Sequence, residues 1–127
     1  MPGETSMTRP TVLLCDDSRA LRMLTASQLA DCGYELVGEA GDGADAVAKY
    51  RALKPDVVLL DLVMPEVDGK QALEQIMAFD PQARVVVLSS LGAQADIEEC
   101  LRKGARSYLQ KPIDPTVLRR VLADATA

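Results

Sequence analysis

Short apolar runs recur along the chain, separated by stretches whose apolar residues fall at helical spacing. Runs of this length, bounded by turn residues, predict buried strands. Five segments have this character: residues 11–15, 35–39, 56–60, 84–88 and 107–110. The third and fourth are apolar on both faces, as central strands of a parallel sheet must be when helices cover both sides. The second alternates, which predicts partial exposure at a sheet edge.

Helices are predicted in the intervals that follow these strands. Ser18 is a candidate N-cap for the first helix, whose expected core face holds Leu21, Leu24 and Leu29. The second helix is predicted to begin at Gly43, the third to span residues 70–78 and the fourth to span residues 93–103. The Asp114-Pro115 pair provides the N-cap and the first residue of the fifth helix. Strands that alternate with helices in this way predict an α/β fold, a five-stranded parallel sheet with five helices on its two faces.

The composition of the chain mainly argues against certain classes of function. The chain has 127 residues, one domain's worth, of which 48% are hydrophobic and 26% charged. Its net charge of −5 disfavours direct binding to nucleic acids or anionic membranes. No apolar stretch approaches the roughly 20 residues that span a bilayer. We expect a flexible tail at residues 1–10, a domain over residues 11–127 and no membrane insertion.

The cysteines and histidines narrow the chemistry further. Three cysteines and no histidine argue against a zinc site, because neither a cysteine pair at ligand spacing nor an imidazole is present. An odd number of cysteines without a pairing pattern fits a reducing compartment. The sequence therefore predicts a cytoplasmic protein whose cysteines serve mainly as small apolar residues.

Polar residues stand where four of the predicted strands end. Asp16 and Asp17 follow the first strand, Asp61 ends the third, Ser89 follows the fourth and Lys111 follows the fifth. The carboxyl ends of parallel strands meet at one edge, and such sheets bind their ligands there, where the strand order reverses. We therefore expect these five side chains to converge. Each of them alone would be an ordinary turn, cap or surface residue.

Three converging carboxylates repel one another unless a cation lies among them. Mg²⁺ prefers oxygen ligands and needs only one or two carboxylates besides water and phosphate oxygens. Asp17 and Asp61 are the candidate direct ligands, Asp16 acts through water, and the backbone carbonyl of Val63 is a further candidate. Such an ion also suits phosphoryl transfer, with Asp61 as the nucleophile. Lys111 and Ser89 are candidates to contact the transferred group.

Four motifs in this order resemble the signature of two-component response-regulator receiver domains. They are Cys15-Asp16-Asp17-Ser18, the segment 60–69, Leu88-Ser89-Ser90 and Gln110-Lys111-Pro112. The resemblance implies a flavodoxin-like sheet of order 2-1-3-4-5, a cis peptide before Pro112 and Mg²⁺-dependent phosphorylation of Asp61. It also implies that the phosphoryl donor is a sensor histidine kinase or a phosphotransfer protein. The single-domain form resembles chemotaxis regulators, which signal to a downstream protein target.

The resemblance also implies a conformational switch. Ser89 and Tyr108 are the expected switch residues: Ser89 moves toward the phosphoryl group and Tyr108 turns inward. This change would reshape the face formed by the fourth helix, fifth strand and fifth helix. In the family that the chain resembles, the positions two residues after Asp61 and Ser89, here Val63 and Leu91, flank the phosphoryl group, and polar side chains there help to orient the attacking water. Because both are apolar here, we expect slow self-dephosphorylation.

Other interpretations remain open at this point. One is that the chain is part of a longer regulator with a separate output domain, and another is that it is a phosphorelay shuttle that passes its phosphoryl group to another histidine. A third class is an enzyme, an aspartate-nucleophile phosphatase similar to the haloacid dehalogenases. Those phosphatases need a second Asp two residues after the nucleophile, where this chain has Val63. The leading expectation is a regulator that catalyses only its own phosphorylation and slow dephosphorylation.

Overall fold

Five strands and five helices alternate through residues 9–90 and 92–127, the part of the chain that the computed structural model describes. The strands are β1 (Thr11–Cys15), β2 (Glu35–Ala40), β3 (Val57–Asp61), β4 (Val85–Ser89) and β5 (Ser107–Gln110). The helices are α1 (Arg19–Asp31), α2 (Gly43–Leu53), α3 (Gly69–Phe79), α4 (Gln94–Arg102) and α5 (Pro115–Thr126). Most of the predicted N-terminal tail, residues 1–8, lies outside the described residues.

The strands form one parallel sheet in the order β2-β1-β3-β4-β5. This confirms the predicted topology. The chain first moves from β1 to one side, to β2, and then crosses back to add β3, β4 and β5 on the other side. The strand order therefore reverses between β1 and β3, which is where open α/β sheets carry their ligand crevice.

Two hydrophobic layers cover the two faces of the sheet, because successive residues of a strand point to opposite sides. On β3, Val58 and Leu60 face one layer, and Val57 and Leu59 face the other. Residues of α2, α3 and α4 complete the first layer, and residues of α1 and α5 complete the second. All five residues of β3 are buried, as both faces are covered. The sheet is thus a rigid support for the side chains at its edge.

The predicted core face of α1 is partly wrong. Leu29 is buried, but Leu24 is 56% exposed and Leu21 is also exposed, while Thr25 takes the expected place in the core. The physical reason lies in where the helix begins. Its first turns start beyond the carboxyl edge of the sheet, so the two leucines line a small cavity beside Pro112 and other residues after β5 instead of packing on strands.

The opposite, amino edge of the sheet brings distant parts of the chain together. Asp56 accepts a hydrogen bond from the Thr11 backbone N–H at 2.7 Å, which ties the start of β1 to the start of β3. A cleft at this edge is lined by Pro10 and by Thr126, the last residue of α5. Among the described residues, no helix has the length and apolar character to cross a membrane.

Candidate functional site

The five polar residues predicted to converge lie at the carboxyl edge of the sheet. Asp61 is the last residue of β3 and Ser89 the last residue of β4, one position later than predicted from the pattern. Asp16 and Asp17 directly follow β1, and Lys111 directly follows β5. β1, β3, β4 and β5 are neighbours in the sheet, so the four strand ends form one row. The topology alone therefore brings these side chains to one place.

Asp61 is only 6% exposed, and both oxygens of its carboxylate are hydrogen-bonded. Oδ2 accepts from the Lys111 ammonium at 2.8 Å, and Oδ1 accepts from the Val63 backbone N–H at 3.1 Å. The first contact comes from the residue directly after β5 and the second from the loop after β3. The carboxylate is therefore fixed at the mouth of the crevice by contacts from two directions.

Asp16 is buried as well, and its carboxylate is held in the same manner. Oδ1 accepts from the Ser18 backbone N–H at 2.9 Å, and Oδ2 lies 2.9 Å from Lys111 Nζ. Lys111 thus bridges the two buried carboxylates of Asp16 and Asp61. The peptide bond from Lys111 to Pro112 is cis, as the motif implied.

Asp17 completes an acidic cluster. One carboxylate oxygen each of Asp16, Asp17 and Asp61 lie within 4.8 Å of one another. Asp17 is exposed, whereas the other two are buried. Three carboxylates at this separation make a set of hard oxygen donors that is open to solvent on the Asp17 side. Such a set suits a hard divalent cation.

Burial and neighbouring charges shift the pKa values of Asp61 and Lys111. Burial raises the pKa of Asp61 above its ordinary value, and the neighbouring Asp16 adds to the rise. The hydrogen bonds from Lys111 and Val63 oppose this rise without cancelling it. For Lys111, burial disfavours the charged form, but the hydrogen bonds to Asp61 and Asp16 together outweigh it and raise the lysine pKa. The lysine therefore stays charged, and an added cation would relieve the cost of ionising Asp61.

The two predicted switch residues differ in burial. Ser89 is buried, and its hydroxyl has no hydrogen-bond partner among the described residues. Its strand neighbour Leu88 pairs in register with Asp61, so the hydroxyl lies at the same edge as the carboxylate. Tyr108 is 41% exposed on β5 and is directed away from the core in this structure. A buried hydroxyl without a partner has a free donor for an oxygen that arrives nearby.

The loop between β3 and α3 is held closely against its neighbours. The Asp68 and Gln71 side chains form a capping box at the start of α3. Gly69 abuts the Asp61 carbonyl, and Gly43, at the start of α2, abuts the Val67 carbonyl, so a Cβ at either glycine would overlap backbone. The sequence predicted helices beginning at Gly43 and at residue 70, but it did not indicate that these residues position the backbone next to Asp61.

Val63, in the same loop, is 73% exposed. Its position beside the Asp61 carboxylate follows from its N–H hydrogen bond to Oδ1. Leu91, the other residue predicted to influence dephosphorylation, lies outside the described residues.

Arg22 is a contributor that sequence reasoning missed. Its guanidinium donates to the Asp16 backbone carbonyl at 2.6 Å and forms an ion pair with Glu39 on β2 at 3.0 Å. Helix side chains tilt toward the helix N-terminus, so an arginine in the first turns of the helix after Asp16-Asp17 can reach back to that loop. This tilt was the available signal.

Comparison with known proteins identifies the family. The model of the response regulator receiver domain matches residues 12–123. The chemotaxis protein CheY of Thermotoga maritima is 42% identical over 105 residues, which cover 83% of this chain and 88% of that protein. CheY of Listeria monocytogenes is 43% identical over 101 residues, covering 80% and 85%.

The fold has a close counterpart among solved structures. The CheX-CheY-BeF3-Mg²⁺ complex from Borrelia burgdorferi contains a chain that superposes with a TM-score of 0.91 and 32% sequence identity. The match covers 98% of this chain and 94% of that one. The likeness therefore includes the elements that carry the carboxyl edge of the sheet.

Proposed function

The chain belongs to the family of response regulator receiver domains, and we propose that it is a signalling switch that accepts a phosphoryl group on Asp61. Membership confirms the resemblance inferred from the four motifs. The observation that carries the proposal is the position of the Lys111 ammonium, 2.8 Å from Asp61 and 2.9 Å from Asp16. In this proposal residues 11–127 form the receiver domain and residues 1–10 a tail.

The acidic cluster fits Mg²⁺ by the chemistry of its donors. They are all carboxylate oxygens, and burial, with a smaller contribution from Asp16, raises the pKa of Asp61, so a cation bound here would favour its ionised form. Asp17 and Asp61 would bind the ion directly, Asp16 through water, and the Val63 backbone carbonyl would give a further oxygen. When bound, Mg²⁺ would supply positive charge that offsets the carboxylates and the oxygens of a transferred phosphoryl group.

The proposed donor is a phosphohistidine of a sensor kinase or a phosphotransfer protein. An Asp61 carboxylate oxygen attacks the phosphorus while the bond from phosphorus to the imidazole nitrogen breaks. The electron pair of that bond remains on the nitrogen, which takes up a proton. Lys111, kept charged by its two carboxylate partners, would contact the phosphoryl oxygens as a point charge.

The readout is proposed to pass through Ser89 and Tyr108. The Ser89 hydroxyl gains an acceptor when a phosphoryl group arrives, which favours movement of the β4 end toward it. Tyr108, exposed in this structure, would then turn inward. Helix α4 begins at Gln94, and its N-cap residue, Ala93, provides no side-chain hydrogen bond, so its first turn is held less firmly than those of the other helices. The outcome is a population shift at the surface formed by α4, β5 and α5.

Partners of this switch are proposed to be proteins. One similar protein was crystallised as a complex with CheX, and the relatives from Thermotoga maritima and Listeria monocytogenes are chemotaxis proteins. By analogy this chain would receive its phosphoryl group from a kinase and signal to a downstream protein in the cytoplasm. The acidic net charge of −5 gives no support for direct contact with nucleic acid.

The test is incubation of the full chain with acetyl phosphate and Mg²⁺, followed by intact mass measurement. We expect a gain of one phosphoryl group that requires Mg²⁺ and is absent in Asp61→Asn. Asp68→Asn is the matched control, because it removes a carboxylate from the same loop, at the α3 cap. This variant should still be phosphorylated.

Two results would contradict the proposal. One is a phosphoryl gain that persists in Asp61→Asn, which would place the acceptor elsewhere. The other is steady turnover of a generic phosphate ester by the wild-type protein, which would favour the phosphatase. Val63, apolar and exposed, offers no acid or base for that reaction.

A further inference from the structure

Arg22 reaches from α1 back over the loop that carries the acidic pair. Its Nη1 donates to the Asp16 carbonyl oxygen at 2.6 Å, and its Nε donates to the Glu39 carboxylate at 3.0 Å. The arginine side chain is only 19% exposed. A guanidinium has its donors in a rigid fork, so two contacts of this kind fix both its position and its orientation.

These contacts tie the loop after β1 to β2. The Asp16 backbone N–H donates to the Ala40 carbonyl at 3.0 Å, and the Asp16 carbonyl is held by Arg22, which is anchored on Glu39. Two neighbouring residues of β2 therefore hold the peptide groups on either side of Asp16, Ala40 directly and Glu39 through Arg22. The peptide held by Arg22 is the one that leads into Asp17, so Arg22 also sets where the Asp17 side chain begins.

We propose that Arg22 is a positioning residue for the Mg²⁺ site, holding the Asp16–Asp17 peptide so that both carboxylates face Asp61. This inference rests on the proposed function, because it concerns the same metal site. Arg22 acts through the backbone and is not itself a ligand. Groups of this kind, which orient the residues that contact the metal, typically change metal affinity by about 10- to 100-fold when removed.

The charge on Arg22 makes the proposal sharply testable. A positive charge beside an acidic cluster weakens cation binding, so simple electrostatics predicts that its removal strengthens Mg²⁺ binding. A positioning role predicts the opposite sign, because the carboxylates lose their alignment. Arg19, exposed on the same helix, carries the same charge and serves as the control for the electrostatic effect alone.

The experiment is isothermal titration of Mg²⁺ into the full chain and into Arg22→Met, Arg22→Lys and Arg19→Met. We expect the dissociation constant to rise about tenfold in Arg22→Met. It should rise also in Arg22→Lys, which keeps the charge but loses the fork. Arg19→Met should bind Mg²⁺ as tightly as the wild type or more tightly. Urea unfolding in EDTA measures the stability of each variant separately.

Unchanged or tighter Mg²⁺ binding by a folded Arg22→Met would overturn the proposal, even if that variant were less stable, because a purely structural residue affects unfolding only. If Arg22→Met does not fold, Arg22→Lys decides by the same criterion. Wild-type protein that takes up no Mg²⁺ would refute the metal site of the proposed function, and this inference with it. Normal wild-type binding with unaffected variants would refute the inference alone.

Discussion

Lys111 shows how a single residue can hold an unfavourable arrangement together. Its ammonium lies between Asp16 and Asp61, and all three groups are largely removed from water. Two buried carboxylates and one ammonium leave an excess of negative charge, which Asp17 increases. One lysine therefore does not neutralise the edge, and burial, together with the charge of Asp16, raises the pKa of Asp61 in spite of the lysine. Strain of this kind is expected where a site is built for an added ligand.

The first residue-scale prediction concerns stability. Asp61→Asn should stabilise the metal-free protein at pH 7 by about 1 kcal/mol, as relief of a strained functional site often does. Because burial raises the pKa of Asp61 in the folded state, its ionisation disfavours folding as the pH rises through that pKa. The stabilisation that Asp61→Asn brings should therefore shrink as the pH falls toward the ordinary pKa of aspartate. Urea unfolding in EDTA at several pH values measures it.

The control for this change is Asp124→Asn, which removes the same charge from an exposed position on α5. Its stability should stay within about 0.5 kcal/mol of the wild type at pH 7. Destabilisation by Asp61→Asn at pH 7, or an advantage that grows as the pH falls, would show that the ionised carboxylate is favourable in the folded state.

A second residue-scale prediction concerns the lifetime of the phosphoryl group. An apolar, exposed Val63 cannot hold the attacking water by a hydrogen bond. Val63→Asn should therefore shorten the phosphoryl half-life about 2- to 10-fold, which is the worth of one hydrogen bond. The measurement is the decay of the phosphorylated mass after removal of acetyl phosphate.

Val63→Ala separates polarity from size at this position, since it opens space without adding a polar group. We expect its half-life to remain near that of the wild type. A wild-type half-life of only seconds, or equal acceleration by Ala and Asn, would contradict the argument from polarity.

At the scale of elements, the start of α2 supports the loop that follows Asp61. Gly43 abuts the Val67 carbonyl with no space for a Cβ, whereas Gly41, two residues earlier, would make only an ordinary contact with Arg22. Gly43→Ala should therefore destabilise the protein by about 1–3 kcal/mol, the usual cost of overpacking. It should also slow phosphorylation, because the loop that bears Val63 and Asp68 must shift.

Gly41→Ala is the matched control and should change stability by less than about 1 kcal/mol. Urea unfolding and the rate of phosphorylation by acetyl phosphate are the two measurements. If Gly43→Ala were as stable as Gly41→Ala and as quickly phosphorylated, the contact between α2 and the loop would have no structural role.

Most helices and strands could be predicted because their signals, apolar runs and capping residues, lie within a few neighbouring positions of the chain. β1 and β5 have the bounds that the apolar runs indicated, and α5 begins at the predicted Asp114 cap and Pro115. The error on α1 has a non-local cause. Leu21 has helical spacing to Thr25 and Leu29, but whether a residue lies over the sheet depends on where the helix starts relative to the strand ends. Spacing alone carries no information about that offset.

The same distinction explains what was predictable at the site. Asp61 and Lys111 are 50 residues apart, yet parallel topology places the end of every strand at one edge, so their meeting followed from the fold. The contact between Arg22 and Glu39 depends instead on the rotamers and on the register of β1 against β2, which contains an irregularity between Val12 and Leu13. No pattern along the chain encodes such an irregularity.

Ion pairs connect two neighbouring helices near the proposed signalling surface. Lys103 of α4's C-terminal cap pairs with Glu74 of α3 at 2.7 Å, and Lys70 of α3 pairs with Asp96 of α4 at 3.1 Å. These pairs are exposed enough to be screened by salt. Exposed pairs contribute little individually, so α4 is attached to α3 by contacts that small changes can rearrange.

At the scale of the whole molecule, the rigid sheet interior is separate from the loops and strand ends that can rearrange. The sheet interior is buried on both faces, with β3 and β4 wholly covered. The polar residues lie in loops and strand ends at a single edge, where rearrangement does not disturb either hydrophobic layer. A charge added at Asp61 can therefore bias surface elements while the core remains as it is.

The cleft at the amino edge has a practical consequence for anyone who studies this molecule. Pro10 and Thr126 both line it, so the two ends of the folded unit emerge together on the side opposite Asp61. A fluorophore, an affinity handle or a linker to a sensor chip attached at either end would point away from the acidic crevice. Immobilised copies would then present the crevice to the solution in a uniform orientation.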